Sequence, residues 1–262
     1  MATVVLVHGL WLTPLSWEHW KARFEAAGHV VHAPAWPGME GPIEQVRADA
    51  APYARLGVTE VADHYDAFVR GLDAPPIVIG HSFGGLIAQI LLDRGLGAAG
   101  VAIHPAPPRG VLSLPPSALR VASVALRNPA NLRRAVPLTA KQFHYGFGNT
   151  LSVEDSERAW QRYAVPGPGR PLFQAATANL NPRAATRVDY RNGGRAPLLL
   201  IAGGADHTVP AAMTRENFRR QRRSGAVTEL EEHPERSHFT CGEPGWETVA
   251  DHALAWAVAH AR

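Results

Sequence analysis

Gly80-His81-Ser82-Phe83-Gly84 sets a serine between two glycines, where the apolar run Pro76-Ile77-Val78-Ile79 hands over to the amphipathic stretch Leu86-Ile87-Ala88-Gln89-Ile90-Leu91-Leu92. A serine at the apex of such a strand-to-helix turn takes an unfavourable backbone angle. Strand and helix pass so closely there that the residues two positions to either side must be small. Gly80 and Gly84 meet that demand. A chance Gly-x-Ser-x-Gly would be unsurprising in a chain with 24 glycines, but the flanking strand and helix patterns supply the context that a nucleophile turn requires.

Around this unit, apolar runs alternate with helical patterns, which argues for parallel strands joined by right-handed helical crossovers. Strands are expected at residues 3–7, 30–33, 77–80, 100–103, 197–202 and 227–231, and helices at residues 16–27, 59–72, 84–94, 211–223 and 245–260. Six strands with helices on both faces make an α/β fold with a doubly wound, mainly parallel sheet. Residues 107–189 break the alternation. They are punctuated by proline, hold no convincing strand, and carry short helical pieces at 116–126 and 154–163. Structureless loops that long are uncommon in compact domains. The expected organisation is therefore an α/β core of residues 1–106 and 190–262 with an inserted helical cap of residues 107–189. Val165-Pro166-Gly167-Pro168-Gly169-Arg170-Pro171 would be a hinge or turn within the cap.

A chain of 262 residues can bury a sizeable core, and no apolar run approaches the eighteen or so residues of a membrane span. The first residues lead straight into an apolar strand without a basic stretch, so no secretory signal is expected, and cytoplasmic is the default location. One cysteine, Cys241, rules out an internal disulfide framework and a thiolate-rich metal site. A net charge of +3 is too small to imply nucleic acid, and the arginines between positions 215 and 223 read as a solvated helix face. Thirteen histidines include no His-Glu-x-x-His pattern, and no glycine-rich phosphate loop occurs. Neither a metal nor another cofactor is expected.

A serine hydroxyl needs a histidine to take its proton and a carboxylate to orient that histidine. Asp206 follows the strand of residues 197–202 through Gly203-Gly204-Ala205, and His238 lies in Arg236-Ser237-His238-Phe239, after the last strand and before the last helix. Both leave C-terminal strand ends, the side of an open α/β sheet where ligands bind. The order Ser82, Asp206, His238 is the one this architecture demands. His233 is a rival base, but it follows Glu231-Glu232 immediately after the strand and reads as a surface residue. Of the rival acids, Asp189 lies at the exit of the cap, and Glu231 and Asp251 do not leave a strand end into a loop at the active edge. His207 should point away from the site.

The oxyanion of an acyl-transfer intermediate needs amide donors in place beforehand. Phe83, next after the serine, supplies one by the geometry of the turn, and Leu10, behind His8-Gly9, supplies the second. His8 itself is expected to brace that loop. Substrate is expected between sheet and cap, against Trp11, Trp36, Phe143, His144, Phe147 and Phe239, with His104 at the end of a neighbouring strand facing the same edge.

Val5-Leu6-Val7-His8-Gly9, Gly80-His81-Ser82-Phe83-Gly84-Gly85, Gly203-Gly204-Ala205-Asp206-His207-Thr208-Val209-Pro210 and Ser237-His238-Phe239 resemble, in order, the oxyanion loop, elbow, acid loop and histidine loop of the α/β-hydrolase superfamily. The resemblance runs almost the whole length and is closest to small capped serine esterases. Phe24-Glu25-Ala26-Ala27-Gly28-His29-Val30-Val31 is similar to the plant methylesterase and hydroxynitrile lyase group. The lyases carry threonine where Gly9 stands and lysine where Phe239 stands, which disfavours cyanohydrin cleavage. Ser82 argues against the aspartate chemistry of the superfamily's dehalogenases and epoxide hydrolases. The resemblance implies hydrolysis of a small, largely apolar ester or lactone through an acyl-enzyme. Cofactor-free perhydrolysis or acyl transfer, and a non-catalytic ligand-binding protein on the same scaffold, are the alternatives. No nucleic-acid or membrane partner is expected, and the chain would be a monomer or homodimer.

Overall fold

The computed structural model describes residues 1–262. Its main sheet contains β1 (Thr3–Val7), β2 (Val30–His32), β3 (Ile77–His81), β4 (Ala99–Ile103), β7 (Leu198–Gly203) and β8 (Thr228–His233), in the order β2-β1-β3-β4-β7-β8. Every pairing in it is parallel, so the sheet is wholly rather than mainly parallel. The four central strands are apolar runs buried along their whole length apart from Thr3, as strands covered on both faces must be. Edge strand β8 (Thr-Glu-Leu-Glu-Glu-His) keeps its charges in solvent, which blunts edge pairing.

Side-chain alternation splits the core into two layers. Val5, Val7 and Val78 face α3 (Val58–Arg70) and α4 (Phe83–Asp93). Val4, Leu6, Ile77 and Ile79 face α1 (Glu18–Ala26) and α10 (Trp246–His260). α9 (Ala211–Gln221) packs against β7 and β8. This is the doubly wound arrangement, with the five expected core helices in place to within two residues, the first of them starting two residues late.

That start differs because Pro14–Trp17 forms a separate 3-10 turn. Pro14 opens it and the Thr13 side chain accepts the Leu15 N–H. A short helix α2 (Ile43–Ala48) was not expected. Between β4 and β7 lie α5 (Pro116–Leu126), α6 (Ala140–Gly146), α7 (Val153–Tyr163) and α8 (Arg170–Ala176). α6 begins with a capping box, the Thr139 side chain accepting from the Gln142 amide and the Gln142 side chain accepting from the Thr139 amide. The segment also contains strands where none were expected: β5 (Ala135–Val136) pairs antiparallel with β6 (Gly167–Pro168). The stretch read as a hinge is thus pinned by that pairing and by the start of α8. No helix is long and apolar enough to cross a membrane.

Candidate active site

Ser82 stands between β3 and α4 with φ +56° and ψ −121°, an angle that a non-glycine residue holds only where its surroundings enforce it. The enforcement is visible. A Cβ on Gly80 would lie 2.0 Å from the Gly84 carbonyl oxygen, and a Cβ on Gly84 would lie 2.0 Å from the Val7 carbonyl oxygen. Glycine at both positions lets helix, strand and neighbouring β1 close on the turn. The Ser82 amide donates to the Ile103 carbonyl at 2.9 Å, and the Ala106 amide donates to the Ser82 carbonyl at 2.9 Å, tying the turn to the end of β4.

His238 lies between Ser82 and Asp206. Its Nδ1 is 2.7 Å from Asp206 Oδ2 and its Nε2 is 3.0 Å from Ser82 Oγ. A carboxylate only accepts, so Nδ1 carries the proton and Nε2 presents its lone pair to the serine hydroxyl. Asp206 Oδ1 accepts the Thr208 and Val209 amides, both at 2.7 Å. Burial alone would raise the Asp206 carboxyl, but the His238 and His104 imidazoles outweigh it and hold that carboxyl well below the usual carboxylate range. Asp206 is therefore ionised at neutral pH.

Two groups that sequence reasoning missed hold the histidine loop. His81 Nε2 donates to the His238 carbonyl at 2.8 Å. Burial, reinforced by His238 and His104, pushes the His81 imidazole well below its ordinary value, so it stays neutral. Glu243, 3 % exposed, accepts from the Ser237 hydroxyl at 2.5 Å, the Ser237 amide at 3.1 Å and the Thr150 hydroxyl at 2.7 Å. No sequence signal distinguishes Glu243 from other loop glutamates. His81 occupies the variable position of the serine motif, which carries no signal either.

On the opposite side of Ser82, Gly9 passes so close that a Cβ there would lie 2.9 Å from Ser82 Cβ. The next amide, Leu10, and the first amide of α4, Phe83, are engaged by no protein acceptor. His8 braces this loop as expected: its Nδ1 donates to the Gly9 carbonyl at 3.0 Å and its Nε2 accepts the Trp36 amide at 3.2 Å. Burial lowers the His8 pKa to about 4, so the ring is neutral at pH 7.

A cavity of about 210 Å³ opens onto Ser82. Trp11 and Phe83 line it from the core, and Leu119, Leu126 and Leu172 from the β4–β7 segment. No charged side chain lines it, and its polar contributions are Ser82, Ser113, Asn179 and Thr208. A larger open depression of about 440 Å³ near Arg47 and Trp160 contains none of the residues around Ser82.

Most of the aromatic residues expected to contact substrate lie behind this cavity. Trp36, 1 % exposed, stacks on His8 with ring centroids 5.2 Å apart. Phe143 stacks on Phe147 at 5.0 Å, and Phe147 meets the His238 ring edge-on at 4.8 Å. Phe239 packs on Phe143 and Tyr163. His144 is half-buried and, like these, does not line the cavity. His104 is fully buried beside Asp206. His207 points away, its Nδ1 2.9 Å from the Tyr145 carbonyl. The rivals His233 and Asp189 lie outside the Ser82–His238–Asp206 chain of hydrogen bonds. His104, Asp206 and His238 bring donor atoms within 4.8 Å of one another, a set that could hold a metal ion. Those atoms already face each other at 2.7–2.9 Å, so a cation there would compete with the His238–Asp206 hydrogen bond.

A wholly parallel, doubly wound sheet with a strained serine at the β3–α4 turn and histidine and aspartate loops beyond its other strands defines an α/β-hydrolase fold. The chain belongs to the alpha/beta hydrolase family, whose model matches residues 4–252. No curated protein sequence matches it. Among solved structures it is similar to the methylesterase MES16 from Arabidopsis (TM-score 0.68, 13 % identity, 99 % of each chain covered). It is also similar to a monoacylglycerol lipase from Paleococcus ferrophilus (TM-score 0.65, 22 % identity, 99 % of this chain and 95 % of that one). A third similar structure is a pyrethroid hydrolase from Sphingobium faniae JZ-2 (TM-score 0.67, 18 % identity, 98 % of each).

Proposed function

We propose that this protein is a serine esterase that cleaves a small, largely apolar carboxylic ester or lactone through an acyl-enzyme on Ser82. The observation that carries the reading is His238 bridging Ser82 and Asp206 at 3.0 and 2.7 Å at the base of an uncharged cavity. Ester-acting enzymes among the similar structures support it.

Ser82 Oγ attacks the ester carbonyl carbon while its proton passes to His238 Nε2, and the carbonyl oxygen becomes an oxyanion held by the Leu10 and Phe83 amides. Collapse breaks the carbon–oxygen bond to the alcohol, which leaves with the proton from His238. Water then attacks the acyl-enzyme, gives its proton to His238, and Ser82 is released with that proton restored. Asp206 fixes the tautomer and offsets the imidazolium charge formed in each half. Residues 107–189 act as the cap, since α5 and α8 supply the cavity wall opposite the sheet.

The test is a panel of p-nitrophenyl esters of increasing acyl length, run beside lactones with wild type and Ser82→Ala. Turnover highest for short to medium neutral acyl chains, and lost in the variant, is expected. Undiminished cleavage by Ser82→Ala would refute the assignment. Running the panel with added peroxide or alcohol reads whether water or another nucleophile takes the acyl group.

A further inference from the structure

Three non-glycine residues hold left-handed backbone angles: Trp11 (φ +67°), Ser82 (φ +56°) and His104 (φ +45°). Ser82 and His104 directly follow the C-terminal ends of β3 and β4, and Trp11 lies in the loop leaving the C-terminal end of β1, the next strand in the sheet. Backbone held in such angles clusters at functional sites, where surrounding structure enforces it. Ser82 is the proposed nucleophile, and Trp11 follows the proposed oxyanion donor Leu10. His104 is the one without a part in the reaction described so far.

Its surroundings are built for an imidazole. His104 is fully buried, and its amide donates to the Ile201 carbonyl at 2.8 Å. Its Nδ1 lies 2.9 Å from Asp206 Oδ2, the same oxygen that His238 Nδ1 meets at 2.7 Å. Neither ring nitrogen makes an aligned hydrogen bond: Asp206 Oδ2 lies off the direction of the Nδ1 N–H despite its closeness, and Nε2 faces no acceptor or donor. Gly203, the last residue of β7, leaves room for the ring: a Cβ there would lie 2.4 Å from His104 Cε1.

Resting on the Ser82–His238–Asp206 reading, we propose that His104 is a positioning residue, a second imidazole on the Asp206 carboxylate that shares its negative charge with His238 and so sets how strongly His238 holds the serine's proton. The other groups facing it are histidines. His81, at the end of β3, has its ring 6.3 Å away, and His233, at the end of β8, is within electrostatic reach. Burial lowers both from the ordinary imidazole value, which keeps them neutral and leaves Asp206 as the charge His104 meets. Two N–H groups then converge on Oδ2, so His104 carries its proton on Nδ1. Without that second N–H, the whole carboxylate charge acts on His238. The imidazolium is over-stabilised and the carboxylate loses one of its anchors.

The test compares His104→Leu with His104→Asn in ester turnover, the pH profile of kcat/KM, and thermal melting. Asparagine tolerates a positive φ and places its amide nitrogen near the position of Nδ1. His104→Leu is expected to lower kcat about tenfold with KM within about twofold, and to move the acid limb of kcat/KM to higher pH by about half a unit. His104→Asn is expected to restore the limb and most of kcat. A wild-type limb in His104→Leu, or equal losses in both variants that track only their melting, overturns the proposal. Nitrogen-15 histidine NMR of the wild type reads the same claim without a folded leucine variant: His104 is expected as the Nδ1–H tautomer, and an Nε2–H tautomer overturns the assignment. Full turnover by Ser82→Ala would sink the esterase reading itself. Inactive Ser82→Ala and His238→Ala variants beside an unchanged His104→Leu limb would sink only this one.

Discussion

Asp206→Asn isolates the contribution of one charge without changing shape. In the wild type, Oδ1 takes two backbone amides and Oδ2 meets two imidazole nitrogens. An asparagine that keeps its carbonyl on the Thr208 and Val209 amides must turn its NH2 toward His238 Nδ1. That nitrogen then has to accept, which moves the proton to Nε2 and points an N–H at Ser82 Oγ. A ring in that tautomer cannot take the serine's proton. The same substitution in a serine protease triad costs about 10⁴ in kcat, and a similar loss is expected here, about 5.5 kcal/mol of barrier at about 1.36 kcal/mol per decade. Facing donors also leave one buried N–H without a partner, a cost of about 1–3 kcal/mol in stability. Stopped or initial-rate assays on a p-nitrophenyl ester at saturating substrate read the first number, and urea unfolding reads the second. An Asp206→Asn enzyme within tenfold of wild-type kcat would refute the tautomer argument. Binding should barely change, because Asp206 does not line the cavity.

Gly84→Ala is expected to abolish folding or cost more than about 4 kcal/mol, because backbone on both sides fixes the Val7 carbonyl 2.0 Å from the new Cβ; a circular-dichroism melt within a few degrees of wild type would contradict this. Stability should fall as pH drops from about 6.5 toward 4, since His8 is neutral when folded, with a pKa of about 4, and titrates near 6.5 when unfolded. The depressed pKa makes its contribution complete above 6.5, and it is lost on acidification, about 3 kcal/mol in all. Denaturant midpoints at pH 7.5, 5.5 and 4.5 measure it, and a flat profile counts against a buried neutral His8. Leu126→Trp, filling the cavity wall from α5, should raise KM for medium-chain esters at least tenfold and leave acetate esters within about threefold; equal effects on both would move the acyl site elsewhere.

The strands and the elbow were legible because their signals are local. Buried parallel strands read as short apolar runs, and Gly80 is demanded by its contact with Gly84 inside the motif, while Gly84 is demanded by neighbouring β1. Asp206 and His238 were legible one step further, from their place behind β7 and β8 in an architecture that collects strand ends on one edge. The two-residue strands β5 and β6 were not, since two residues carry no periodicity and Pro168 argues against a strand. The aromatic residues misled for a related reason. Phe143, Phe147, Phe239 and Trp36 are apolar wherever they point; the packing of α6 and α7 over the histidine loop turns the three phenylalanines inward against His238, Tyr163 and each other, and Trp36 stacks on His8. The site that Trp11, Leu119 and Leu172 enclose is lined by aliphatic residues of the kind that fill any core. The His104–Asp206 contact depends on how far β4 and β7 project past one another, a register that no stretch of sequence encodes alone.

Reaction of the folded protein with a fluorophosphonate, followed by peptide mapping by mass spectrometry, asks directly whether Ser82 is an activated nucleophile. One equivalent of label on Ser82, absent in His238→Ala and in protein unfolded in urea before the probe is added, is the predicted result. An unlabelled Ser82 in protein that still turns over ester, or a label on another residue, would contradict the account.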